Sequence, residues 1–166
     1  MSERAALPDS SYRRFDSLQE YEQLTDELIA RAQGAIRVFD RELSKQYNAP
    51  GRCDLLAAFL KASRSHRLFI VVHDARHMER DCPRLVRLAI QHSYAVKINQ
   101  TLSAAKQASD AFVIIDAEHY LHRFHHDHMR AAIGMNDSNG TQVLADRFEE
   151  IWEASAPAKI GTASGF

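Results

Sequence analysis

This 166-residue sequence has no apolar run approaching the roughly 18–20 residues that cross a bilayer as a helix. Its first 17 residues also lack the apolar stretch of a signal peptide, so a soluble, cytoplasmic protein with no membrane contact is expected. Cysteine is scarce. Cys53 and Cys82 form no C-x-x-C pair and are too few for a disulfide framework, so they read as buried thiols of a reducing compartment. A dominant charge is lacking too: the formal net charge is −1, which draws neither nucleic acid nor an anionic membrane to the whole molecule. Nucleic acid is therefore not an expected partner, and any contact with a polyanion has to come from a local patch. The sequence shows no internal repeat.

What is present is the balance of a folded globular chain, with 45% hydrophobic and 26% charged residues, and enough length for one two-layer core. Residues 1–15 and 156–166 are rich in Ser, Ala, Pro and Gly without periodicity and read as flexible tails, leaving residues 16–155 as a single domain.

Within that domain, Ser17 and Glu20 have capping-box spacing, and Leu18, Tyr21, Leu24 and Leu28 follow at helical intervals up to Gly34. Residues 35–39 read as a strand ending at Asp40 and Arg41, followed by a loop with Asn48, Pro50 and Gly51. Asp54 is placed to cap a helix carrying Leu56, Phe59 and Leu60, and residues 68–72 read as a strand buried on both faces. Asp81 and Pro83 open another helix, and residues 94–98 give a third strand. Two successive strand–helix–strand crossovers imply a right-handed parallel arrangement. Residues 112–115 and 119–124, separated by the turn at 116–118, then predict an antiparallel hairpin. A further strand at 131–135, a turn at 136–140 and a final helix over 143–152 complete an α/β fold with a mixed sheet flanked by helices.

The order of these elements resembles one half of the phospholipase D superfamily. Phe148, Glu149 and Trp152 are similar to that family's closing F-E-x-x-W helix, and residues 55–64 to the helix before its second strand. The resemblance implies a phospholipase D-like fold and places the family's H-x-K-x-x-x-x-D motif at Ser109, Ala111 and Asp116. The aspartate is present, whereas serine and alanine stand where the nucleophilic histidine and the phosphate-binding lysine are expected. A serine hydroxyl needs an adjacent base to attack, and alanine brings no charge to phosphate. The family's downstream G-S-x-N is replaced as well, with Arg123, Phe124 and His126 at about the Gly, Ser and Asn places. The chain thus resembles a bacterial branch of such degenerate domains, and the family's pairing of two halves implies a homodimer.

Five of the nine histidines, His119, His122, His125, His126 and His128, crowd into ten residues beside Arg123 and Asp127. Strand alternation would put His119, Leu121, Arg123 and His125 on one face and Tyr120, His122, Phe124 and His126 on the other. Arg123, with its planar fork of donors, and His125 or His126 are candidates for a phosphate group. Asp40, Arg41, His73, Asp74 and Asn99 should share the rim at the carboxyl ends of the strands, where open α/β sheets collect ligands. His73 and Asp74 read either as a base with its orienting carboxylate or as a strand end whose aspartate caps the next helix. His125, His126 and Asp127 are an alternative metal set, though their spacing matches no zinc signature, and no cofactor is expected. Arg76, Arg80, Arg84 and Arg87 would form a basic stripe on a continuous helix, but Pro83 interrupts it.

Three functional readings follow: a non-catalytic binding or regulatory module for a phosphate-bearing ligand near Arg123, His125, His126, Asp40 and Arg41; a divergent phosphoesterase working through His125, or through His73 with Asp74; and a structural dimerisation domain.

Overall fold

The apolar strands predicted in the middle of the sequence form the centre of an eight-stranded sheet in the computed structural model, which describes residues 10–160. In chain order the strands are β1 (Ser11–Phe15), β2 (Ala35–Asp40), β3 (Arg67–Val72), β4 (Val96–Thr101), β5 (Ala111–Ile115), β6 (His119–His125), β7 (His128–Met135) and β8 (Ser155–Pro157). The helices are α1 (Leu18–Arg31), α2 (Pro50–Ala62), α3 (Met78–Asp81), α4 (Pro83–Gln91) and α5 (Ser138–Glu153). Across the sheet the order is β1-β7-β6-β5-β2-β3-β4-β8. β2, β3 and β4 run parallel, as the crossovers require, and every other pairing is antiparallel.

Side chains alternate between two helical layers. Ile36 and Val38 of β2, Leu68 and Ile70 of β3, and Val113 of β5 pack against Leu28 of α1, Leu56 of α2 and Leu85 of α4. Phe39, Val71, Phe112 and Ile114 face the other way, onto Leu144, Phe148 and Ile151 of α5. Two-sided burial explains why β3 and β5 read as continuous apolar runs and β2 as one interrupted only by Arg37, rather than as alternating strands. Burying each such side chain stabilises the fold by about 1.5–3 kcal/mol.

Local signals hold at several element ends. Ser17 Oγ accepts the N–H of Glu20 at 3.1 Å and caps α1, and Pro83 opens α4. Others shift. α2 starts at Pro50 rather than after Asp54, because proline at the first helical position sacrifices no hydrogen bond. α5 starts at Ser138, so the predicted turn is partly its first turn, with Asp137 Oδ1 accepting the N–H of Gly140 at 3.0 Å. β4 runs to Thr101, three polar residues past the apolar run, because Asn99 donates to Ser155 Oγ at 2.8 Å and the strand gains a partner in β8.

The two ends differ most from expectation. Residues 11–15, read as part of a tail, form edge strand β1 along β7, and Ser155–Pro157 form edge strand β8 along β4. Both are short and carry no periodic signal; their strand geometry comes from ladders with residues more than 50 positions away. Of the expected tails, residues 1–9 and 161–166 lie outside the described residues. Among the described residues no helix is long and apolar enough to cross a membrane.

Candidate functional site

Because β5 runs antiparallel to β2, and β6 to β5, one end of the sheet collects the carboxyl ends of β2, β3 and β4, the start of β5 and the β6–β7 turn. Two clefts open at this rim. The outer one, about 530 Å³, is lined by Arg41, His73, Lys106, Ser109 and His126 among others. The inner one, about 390 Å³, lies between α1 and the sheet and is lined by Tyr21, Glu22, Asp40, Tyr47, Arg52 and Arg123 among others. Arg41 and His126 line both.

Four of the five residues singled out for ligand binding therefore meet: Asp40, Arg41, Arg123 and His126 all line the inner cleft. Strand alternation had put His126 on the face opposite Arg123. The register shifts between Arg123 and His125, β6 ends there, and His126 turns out of the strand, its N–H donating to the carbonyl of Ser109 at 2.8 Å. His125, the fifth, lines neither cleft. Its Nδ1 accepts the N–H of Asp127 at 3.1 Å, which leaves the proton on Nε2.

His126 belongs to a polar chain. Its Nδ1 lies 3.0 Å from the Arg41 guanidinium and 3.0 Å from the Asp127 carboxylate, accepting from the first when unprotonated there and donating to the second when protonated. One donor atom from each of His125, His126 and Asp127 fits within a 4.8 Å cluster, the alternative metal set. The Arg41 cation competes for the same His126 nitrogen, which weakens that set as a cation site.

His73 and Asp74 do not pair. His73 Nε2 lies 2.6 Å from the carbonyl of Ala108, so it carries the proton, while Nδ1 accepts from the Thr101 hydroxyl at 2.7 Å. Burial, with Lys106, His126 and Arg41 nearby, lowers the pKa of this ring and keeps it neutral. Asp74 accepts the backbone N–H of Arg76 at 2.9 Å and pairs with its guanidinium, so it closes a turn rather than capping α3. Those hydrogen bonds hold its carboxyl down at about 2. Asn99 is tied to Ser155 and is not at the rim clefts. The arginine stripe breaks up as Pro83 implied: Arg76 pairs with Asp74, Arg80 with Asp81, and Arg84 reaches Asn48.

Several residues were invisible to sequence reasoning. Arg52, 1% exposed, donates from Nε to Asp26 at 2.6 Å and from Nη2 to the Glu22 side chain at 3.0 Å, and lies over the Tyr47 ring at 4.5 Å. Its Nη1 is buried without a hydrogen-bond partner. Lys106 reaches the carbonyl of His73 at 2.5 Å. On the far face Asp110 takes both the Arg147 fork and His122 Nε2, the latter at 2.7 Å. No spacing rule joins residues from a loop, a strand and a helix, so none of these groups carries a sequence signal.

Asp40 stands out electrostatically. Burial raises its pKa to about 7, against the opposing pull of the Arg41 N–H and of Arg123. Burial likewise raises the phenols of Tyr21 and Tyr47, so both remain protonated donors.

The fold is that of the phospholipase D family. The chain is similar to Nuc from Salmonella typhimurium, a phospholipase D family member, at 14% identity and TM-score 0.65, covering 90% of this chain and 99% of that one. It is similar to NucT from Helicobacter pylori at 12% identity and TM-score 0.60, covering 90% and 100%. It is also similar to phosphatidylserine synthase from Haemophilus influenzae Rd KW20, at 11% identity and TM-score 0.61, there covering 93% of this chain but 41% of that one. No curated protein matches the chain by sequence. One family model does match, over residues 17–159, and the chain belongs to that family, described as Domain of unknown function (DUF7931).

Proposed function

We propose that this domain binds a phosphate-bearing ligand at its strand-end rim without cleaving it, serving as a phospholipase D-like binding or regulatory module. The observation that carries this reading is the set of basic side chains that line one cleft with Ser109. Arg41, Lys106 and His126 line the outer cleft with it, at the place the family resemblance assigns to the nucleophile. Guanidinium and ammonium groups supply charge-assisted donors for phosphate oxygens.

Two histidines near this rim, His73 and His125, support binding over attack. A nucleophilic imidazole needs a free ring lone pair, but the Nδ1 lone pairs of His73 and His125 are taken by Thr101 and by the Asp127 N–H. In both rings the other nitrogen carries the proton. Ala111, at the lysine place, is buried within β5.

The test combines calorimetric titration of inorganic phosphate and diphosphate with a hydrolysis assay on a generic phosphodiester, with and without chelator. Saturable binding weakened by Lys106→Ala, without turnover above background, is the expected result. Turnover abolished by His125→Ala would establish the divergent phosphoesterase instead, and absence of both binding and turnover would leave a structural domain. The same reading carries an isologous homodimer meeting at its strand-end rims. A monomeric mass by light scattering at micromolar concentration would remove the dimer from the account.

A further inference from the structure

The inner cleft contains groups that a phosphate ion alone leaves unused. Arg52 Nη1 is a buried donor with no partner, and such groups are rare because each loses its water without replacement. Asp40, Tyr21, Tyr47 and Arg123 line the same cleft. The Arg123 Nε donates to the carbonyl of His128 at 3.0 Å, and among the described residues no side chain pairs with its guanidinium tip.

The lining restricts what can enter. An apolar group would strip water from these donors and acceptors and return nothing. A cation would meet Arg41, Arg52 and Arg123, and a second anion would meet Glu22, Asp40 and Glu42. What fits is a neutral group that both donates and accepts: a hydroxyl can accept from a guanidinium and donate to the Asp40 carboxyl. The volume of about 390 Å³ has room for several hydroxyl-bearing carbons.

We infer that the ligand is the phosphate ester of a polyol or sugar, with its phosphate in the outer cleft and its hydroxyls in the inner one, joined across Arg41 and His126. This rests on the phosphate-binding reading and adds the chemical class of the esterified group. Arg41 and His126 line both clefts, so the clefts adjoin at this hydrogen-bonded pair and an ester linkage crossing over it spans from one to the other. Asp40, poised by burial near neutrality, hydrogen-bonds a hydroxyl in either protonation state. Arg52 keeps its place through Glu22, Asp26 and the Tyr47 ring, so its free Nη1 is fixed before the ligand arrives and little ordering is left to do on binding.

The experiment titrates the full chain with inorganic phosphate, glycerol 3-phosphate, ribose 5-phosphate and glucose 6-phosphate, and with the three unphosphorylated alcohols. At least one ester is expected to bind about tenfold or more tightly than inorganic phosphate, the ratio that corresponds to one well-made buried hydrogen-bond set. In Asp40→Leu, and in the milder Tyr47→Phe that keeps the ring over Arg52, the ratio of ester to phosphate affinity should fall towards one. Inorganic phosphate binding as tightly as all three esters would overturn this inference and leave the phosphate-binding function standing. A preference that survives both substitutions would place the hydroxyls elsewhere and overturn it too. If neither phosphate nor ester binds, both readings fall together.

Discussion

The Asp116 carboxylate accepts the backbone N–H of Ala35 at 2.9 Å through Oδ1, and that of Gln33 at 3.0 Å through Oδ2. Asp116 lies at the far end of β5 from Ser109, so the one position that matches the family's H-x-K-x-x-x-x-D motif is not at the clefts. It clamps the turn between α1 and β2. That structural task accounts for an aspartate at this position independently of what stands at Ser109 and Ala111.

Asp116→Ala should therefore destabilise the protein by about 1–3 kcal/mol, through two backbone N–H groups left without their acceptor. Its φ of 55° adds to the loss, since alanine tolerates that region less well than aspartate or asparagine. Urea denaturation checks this, with Asp116→Asn expected to lose less.

Asp40 should make stability fall as pH rises. Its folded pKa is raised to about 7, so between the unfolded value near 4 and about 7 the folded state holds a proton that the unfolded state has released. The contribution is fully present below the unfolded value and is lost as pH rises through the folded one. Allowing for water in the cleft, Asp40→Asn should gain about 1–3 kcal/mol over the parent between pH 4 and pH 8. Denaturation midpoints at the two pH values measure it; a pH-independent difference would contradict the assignment.

Asp110 works in the opposite direction. Burial pushes its carboxyl up, but the Arg147 and His122 hydrogen bonds outweigh burial and hold it well below the usual carboxylate range. Its stabilisation is present above the unfolded value near 4 and is lost as pH falls through the folded one. Arg147→Met should cost about 1–3 kcal/mol at pH 7 by leaving that carboxylate under-paired, and should flatten the acid limb of the stability profile. Parallel slopes for parent and variant below pH 4 would count against this account.

Gly134 is set by packing. A Cβ added there would lie 2.2 Å from Cε2 of Tyr120, so Gly134→Ala has to displace the ring and should cost about 1–3 kcal/mol. Adding Tyr120→Leu should recover part of that loss in a double-mutant cycle, whereas purely additive effects would show that the ring is not the obstacle.

The sequence by itself determined the central architecture. The apolar runs at β2, β3 and β5, the caps at Ser17 and Pro83 and the order of crossovers and hairpin are local patterns, and each local preference agrees with the fold. It also brought Asp40, Arg41 and Arg123 to one rim, because strand ends and periodicity follow from the same patterns.

Tertiary structure decided the rest. β1 and β8 are strands only because β7 and β4 offer free edges, which a segment without alternation cannot announce. The side of the rim on which His126 lies depends on an irregularity one residue long, and such a shift reverses the facing of whatever follows. Tyr21, Tyr47 and Arg52 join the site from α1, the short 3-10 helix Lys45–Asn48 and α2. Their meeting is fixed by how α1 and α2 pack on the sheet, and packing is a property of surfaces in contact, not of spacing along a chain.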